Sequence, residues 1–563
     1  MNMRPCDLAA LLLLVCFVPT PGCKGTDNAA SPDSTAAAQT TTAVLFDGMG
    51  SHQRKVTTKS ALAQQYFDQG LTWTFAFNHD EAIRSFTEVA RQDPDCAMAQ
   101  WGIALCNGPH INNPSMDEAH SKAAWDALQR ALALRDKASP VERALIDALA
   151  ARYAMPIPKD RAPLDKAYAA AMKPVADANP QDADIATLYA ESLMDLRPWD
   201  LWSKTGEPRP ETPQVLAALE RAMKIDAQHP GACHLYIHAS EASPHPEQAE
   251  AAADRLRKLV PGSGHLVHMP AHIDVRTGKW EQAATCNINA MSSDAAYFKL
   301  SPKQGFYRLY MGHNADFLAF ACMMEGRQAE ALRAAQGMIA GVPADFLKTS
   351  GAIVDGLMTV DLEVLKRFGK WEDILRHAGP PKGLPVSNAM WHFHRGVAQA
   401  ALGHVDEAER EQAEFRKAVK AVPEGTMMMI NPAAKIFEIA QHVLAGEIAY
   451  RKGATDNAIK ELQLGVARED DLRYMEPPEW VTPVRHTLGA ILLEAGKVDE
   501  AEEVYRTDLK YWPRNAWSLF GVAQCLKAKN APGAAEAQQQ FERAWARADT
   551  KITSSCLCVK AKT

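Results

Sequence analysis

Apolar and small positions along this chain keep a helical rhythm rather than a strand rhythm. Alternating runs of Val, Ile and Thr do not occur, and small residues return in steps of twelve. Gly70, Ala82 and Pro94 make one ladder, Gly489, Ala501 and Pro513 a second, and Ala319, Ala331 and Pro343 a third. Ile237, Ala249 and Pro261 keep the spacing with a larger first rung. Gly396–Ala408, Gly446–Ala458 and Ala271–Ala283 keep the first step alone. Small residues are needed where the two helices of a hairpin approach most closely, and a proline stops the second helix. Glycines mark turns between helices at Gly278-Lys279-Trp280, Gly326-Arg327, Gly403-His404 and Gly496-Lys497. The pattern predicts helical hairpins from about Lys59 to Asp549, degenerate around 138–196 and 353–377.

This ladder resembles the tetratricopeptide repeat, a helix–turn–helix unit of ~34 residues. The resemblance implies an all-α fold, a right-handed α-solenoid of about ten such hairpins. Stretches such as Tyr66-Phe67-Asp68-Gln69-Gly70, Tyr236 to Pro246, His268 to Ile273 and Trp517 to Gly521 resemble exported bacterial proteins of that kind. Met155 to Pro163 is a proline-rich connector. Residues 197–213 form a longer insert carrying Trp199 and Trp202, and its prolines forbid a continuous helix. Two readings of the insert stand side by side: a cap that buries both indoles, and a loop folded across a binding site.

The N-terminus reads as an address. Arg4 precedes an apolar run from Leu8 to Val18, too short to cross a bilayer and suited to a signal peptide. The run ends in Thr20-Pro21-Gly22-Cys23, which resembles a bacterial lipobox despite Thr20 and Pro21. The expected layout is a signal peptide over 1–22, a lipidated Cys23, a flexible tether and lead-in over 23–58, repeats over 59–549 and a tail over 550–563. That layout puts the protein outside the cytoplasm, periplasmic or held to a membrane by its lipid.

Composition narrows the partners. Of 563 residues, 47% are hydrophobic and 23% charged, which excludes a largely disordered chain. A net charge of −7 leaves no basic excess for phosphates, so no nucleic-acid partner is expected. No GxSxG, Walker A or HExxH motif occurs, and no CxxC pair. Met427 to Met429 read as core or loop, with soft copper ligation as the sharper alternative. Cys556 and Cys558 stand too close for an easy mutual disulfide and read as part of a frayed tail, with a thiol metal site as the alternative.

Histidine supplies the candidate chemistry. His234/His238 and His268/His272 are four residues apart, so each pair shares a helix face, the spacing by which a helix gives one metal two imidazoles. The repeat resemblance implies that the second, fifth, ninth and twelfth positions of each first helix face a concave groove. On that register His234, His238 and Glu241 fall at the fifth, ninth and twelfth positions of one repeat. His265, His268 and His272 fall at the second, fifth and ninth of the next, and His313 and Asp316 at the second and fifth of the third. The preferred metal ligands are His234, His238, His268 and His272, with His265, His313, Glu241 and Asp316 in reserve or around them. Imidazole suits Zn or Cu. Two functions compete: a non-catalytic scaffold binding a protein or peptide in its groove, with or without a transition metal, and a metal-dependent hydrolase or oxidoreductase using the same histidines under a tryptophan lid.

Overall fold

The computed structural model describes residues 43–302 and 304–559. The expected signal peptide, Cys23 and the expected tether up to residue 42 lie outside the described residues. What is described is all-α, apart from a two-residue antiparallel pair, Met427–Met428 with Asn431–Pro432. Met428 of this pair joins the core, whereas Met429 stands in the turn at φ 50° with its side chain exposed.

The chain divides into two compact units. One holds residues 43–200 and 213–232, the other 201–212 and 233–559.

In the first unit the hairpin Ala61–Phe75/His79–Gln92 displays the building rule. Ser60 caps the first helix by accepting from the Ala63 amide, and Asn78 caps the second by accepting from Glu81. Gly70 and Ala82 are both buried at the crossing. A Cβ on Gly70 would stand 2.8 Å from the Phe86 ring, and one on Gly102, in the next helix Ala97–Cys106, 2.6 Å from the same ring. One phenyl group thus fills two glycine gaps and ties three helices together. Residues 43–58 are packed against these helices rather than trailing as a free lead-in. Phe46 donates its amide to Gln69 Oε1 at 2.7 Å, Tyr66 donates its hydroxyl to the Ala43 carbonyl, and Thr57 bonds Glu142.

The same rule runs through the second unit. Ile237, Ala249, Ala271, Ala283, Ala319, Ala331, Ala408, Ala458 and Ala501 are fully buried. Tyr505 fills the gaps at Gly489 and Gly521 as Phe86 does in the first unit. The expected frayed tail is instead part of the core as far as it is described. Ser555 bonds Tyr505 and the His486 carbonyl, Cys558 is fully buried, and Cys556 and Cys558 are disulfide-bonded.

Gly102→Ala should drive a methyl into the Phe86 ring and lower stability by ~1–3 kcal/mol, the usual cost of overpacking. Urea denaturation checks this, with Gly102→Ala/Phe86→Leu expected to recover part of the loss.

Candidate functional site

The site lies wholly in the second unit. Helix Pro230–Ser240 carries His234 and His238, and Glu241 follows at its end. Helix Gly264–His268 carries His265 and His268; Ser263 caps it by accepting from the Leu266 amide. Pro270, which has no N–H to give, opens the next short helix, Pro270–Arg276, with His272 on it. Met269 between the two stays in the right-handed helical region, so His268 and His272 keep a common face across the break. Helix Tyr307–Met324 supplies His313.

All six imidazoles converge. Ring centroids are 4.9 Å apart for His234–His238 and for His234–His265, 4.8 Å for His268–His272 and 4.7 Å for His268–His313. Between the pairs, His238 lies 5.8 Å from His272, and His265 6.0 Å from His268. Two sets have ligand atoms all within 4.8 Å of one another: His234/His238/His265, and His268/His272/His313.

Three of the rings are oriented from behind. Glu241 reaches His238 Nδ1 with one oxygen at 2.8 Å and His272 Nδ1 with the other at 2.5 Å. Asn287, on helix Trp280–Leu300, donates its amide to the Ala283 carbonyl and so turns its oxygen to His268 Nδ1 at 2.7 Å. Burial raises a carboxyl's proton affinity, but here the His272 charge and the His238 bond prevail and bring Glu241 down to about 2. Glu241 is therefore an ionised acceptor, and the Asn287 oxygen is an acceptor too. His238, His268 and His272 each donate from a protonated Nδ1. The His268 and His272 Nε2 atoms face each other at 2.8 Å, which in two neutral rings would set lone pair against lone pair. Something positive has to stand between them, a proton or a metal ion.

Protons are disfavoured on four of the six rings. Burial first, then the neighbouring imidazoles, holds His265 and His268 well below the ordinary histidine range and brings His313 to about 3. Burial also lowers His238.

The histidines expected to line an open groove are enclosed. His234 and His268 are fully buried, His238, His265 and His272 nearly so, and His313 is half-buried. Part of the cover is a non-helical segment the sequence reading passed over. From it Glu476, fully buried, approaches His272 Nδ1 at 3.6 Å and accepts from the Tyr474 hydroxyl. Burial, then the nearby Glu241 charge, pushes the Glu476 carboxyl well above its usual range, with Arg276 opposing. Pro477-Pro478 in this stretch was the available signal for such a loop.

Other expected site residues fall differently. Asp316 is buried, its carboxyl pushed up to about 7 by desolvation, and it belongs to neither imidazole set. Trp202 donates its indole N–H to the Ala239 carbonyl at 2.7 Å, bracing the helix of His234 and His238 from outside. Trp199 bonds Asn112 in the first unit, so the two indoles do not act as one lid. Other histidines of the second unit have carboxylate partners: His392 with Glu411, His442 with Glu461, His394 with Glu363 and His486 with Asp508. In the first unit His52 and His229 both bond Asp184, which also pairs with Arg54. His229 Nδ1 accepts from the Ala232 amide, so both of its ring nitrogens are engaged.

Comparison with known proteins agrees with the fold. Residues 78–140 and 486–549 match the tetratricopeptide repeat. The chain thus carries tetratricopeptide repeats near both ends of its helical region. Solved structures similar to it include the human IFIT1 dimer with m7Gppp-AAAA, at 12% identity over 86% of this chain and 91% of that one, TM-score 0.32. Yeast Tom70 is similar at 11% identity over 85% and 92%, TM-score 0.28. The APC/C hetero-tetramer Cut9-Hcn1 is similar at 13% over 86% and 74%, TM-score 0.27. Comparison with curated proteins returns no match.

The depressed imidazoles set a pH dependence for the metal-free protein. Between their lowered folded-state values and the ordinary ~6.5, the unfolded chain binds protons that the native chain refuses. Stability should therefore fall as pH drops below ~6.5, by up to ~1.4 kcal/mol per pH unit for each such imidazole. Urea midpoints measured on chelator-treated protein from about pH 7.5 to about pH 5 check the slope, which His268→Ala should flatten.

Proposed function

We propose that this protein is a helical-repeat scaffold whose second unit encloses a transition-metal centre in its imidazole cluster. The observation that carries the reading is the 2.8 Å approach of the His268 and His272 Nε2 atoms, with each ring fixed from behind at Nδ1 by an acceptor. Ligating histidines commonly show this arrangement, with the far ring nitrogen donating to a carboxylate or an amide oxygen. Zn or Cu suits such a nitrogen-rich set, and Glu241 supplies charge beside it. A structural ion of this kind contributes on the order of 10 kcal/mol in zinc sites, enough to offset the burial of several imidazoles.

Export and a lipid on Cys23 belong to the same reading, supported by the apolar run Leu8 to Val18 and the Gly22-Cys23 junction. Repeat arrays serve as interaction surfaces, which supports a protein or peptide partner. That partner would sit on the exposed surface, because the histidines are enclosed. The net charge of −7 argues against nucleic acid as the partner.

A metal-dependent hydrolase or oxidoreductase is the second reading. Glu476 favours it: a carboxyl that holds its proton, bonded to Tyr474 and next to His272, is a candidate acid–base group. Glu241, held by two imidazoles, is a poor one.

Purified full-length protein should retain zinc or copper through gel filtration. Saturation at ~1000 times Kd should raise its stability by ~4 kcal/mol. His268→Ala/His272→Ala should lose most of that gain. No retained metal, and no stabilisation by added Zn(II) or Cu(I), would refute the proposal.

A further inference from the structure

Resting on the metal reading, the geometry points to a centre for two ions, one on His234, His238 and His265, the other on His268, His272 and His313.

Six imidazoles exceed the four ligands that zinc usually takes, so one ion leaves part of the cluster without a purpose. The surplus is ordered. Each set consists of one pair four residues apart plus a single histidine from the following first helix. The pairs themselves are one repeat apart: 34 residues separate His234 from His268, and 34 separate His238 from His272. The lone members, His265 and His313, lie on helices Gly264–His268 and Tyr307–Met324, near the start of the first and a third of the way along the second. A single ligand-bearing pattern has thus been used twice in successive repeats, and stacking the repeats sets the two copies side by side.

The ligand atoms draw the division: within each set they all lie within 4.8 Å of one another. Ring centroids overlap more, at 4.7–6.4 Å within a set against 5.8 and 6.0 Å between His238–His272 and His265–His268. Glu241 spans the two. One of its oxygens bonds His238 of the first set and the other His272 of the second. This single carboxylate orients one ligand in each set and places a negative charge behind both, offsetting part of the charge two ions would bring. Glu476, beside His272, adds a second carboxyl on the same side. The ligands suit late first-row ions, Zn(II) or Cu(I), rather than the oxygen-seeking Mg or Ca.

The test counts ions. Chelator-stripped full-length protein is titrated with Zn(II), and separately with Cu(I) under exclusion of air. Bound metal is counted by elemental analysis and by native mass spectrometry. Two equivalents per chain are expected. One equivalent in the unsubstituted protein overturns the two-ion centre and leaves the metal reading standing; none overturns both. His234→Ala/His238→Ala and His268→Ala/His272→Ala should each drop the count from two to one. Either variant losing both ions while keeping its helical circular dichroism would overturn the division into two sets. Should a variant fail to fold, the count on the unsubstituted chain still decides.

Discussion

Two helices can lie in close contact only where one of them withholds its side chain. That steric constraint organises everything else here. Gly70 and Gly102 leave room for Phe86, and Gly489 and Gly521 leave room for Tyr505. Buried alanines do the same work through the second unit. Each close crossing fixes the rotation of a helix about its axis, and hence which residues of the next first helix share its face. The meeting of six imidazoles is a by-product of that register. His234 and His238 sit on the same helix as the buried Ile237, and His268 and His272 flank the buried Ala271.

Burial then changes what those residues can do. An exposed histidine near neutral pH exchanges protons freely, whereas these are enclosed and crowded by their own kind. Their environment penalises positive charge on His238, His265, His268 and His313 while Glu241 keeps a negative charge beside them. The cluster thus prefers cation density shared over several nitrogens to protons on individual ones. Asn287 and Glu241 complete this by choosing the tautomers, so that lone pairs rather than N–H groups point inward.

Much of this was legible because helices and repeats are periodic. Four-residue spacing put His268 and His272 on one face before any coordinates, and the twelve-residue ladder aligned three repeats well enough to bring His265 and His313 to the same place. Enclosure was not legible. Position within a repeat says which way a side chain points and nothing about what closes over it. The cover at Glu476 comes from a loop some 200 residues after His272, reached only by tertiary folding. Asn287 was missed for a related reason, being a lone polar residue on a second helix with no periodic companion. Trp199 and Trp202 were read together because they are neighbours in sequence, yet the backbone takes φ 59° at Trp199 and their hydrogen bonds lead to different units. Asp316 kept its place in the register but joins neither imidazole set.

The loop that carries Glu476 is itself moored. Asp471, a few residues earlier, pairs with Lys204 of the insert and with Lys435, while Trp202 of the same insert is bonded to Ala239. On this side of the cluster, exchange with solvent requires the cover to lift, so residence time depends on the loop as well as on ligand strength. The moorings at Asp471 lie at the surface and weaken with salt, whereas the imidazole contacts lie inside and do not. Ionic strength would therefore act on the rate of uptake and release while leaving affinity nearly unchanged, a separation of kinetics from thermodynamics written into where the charges sit.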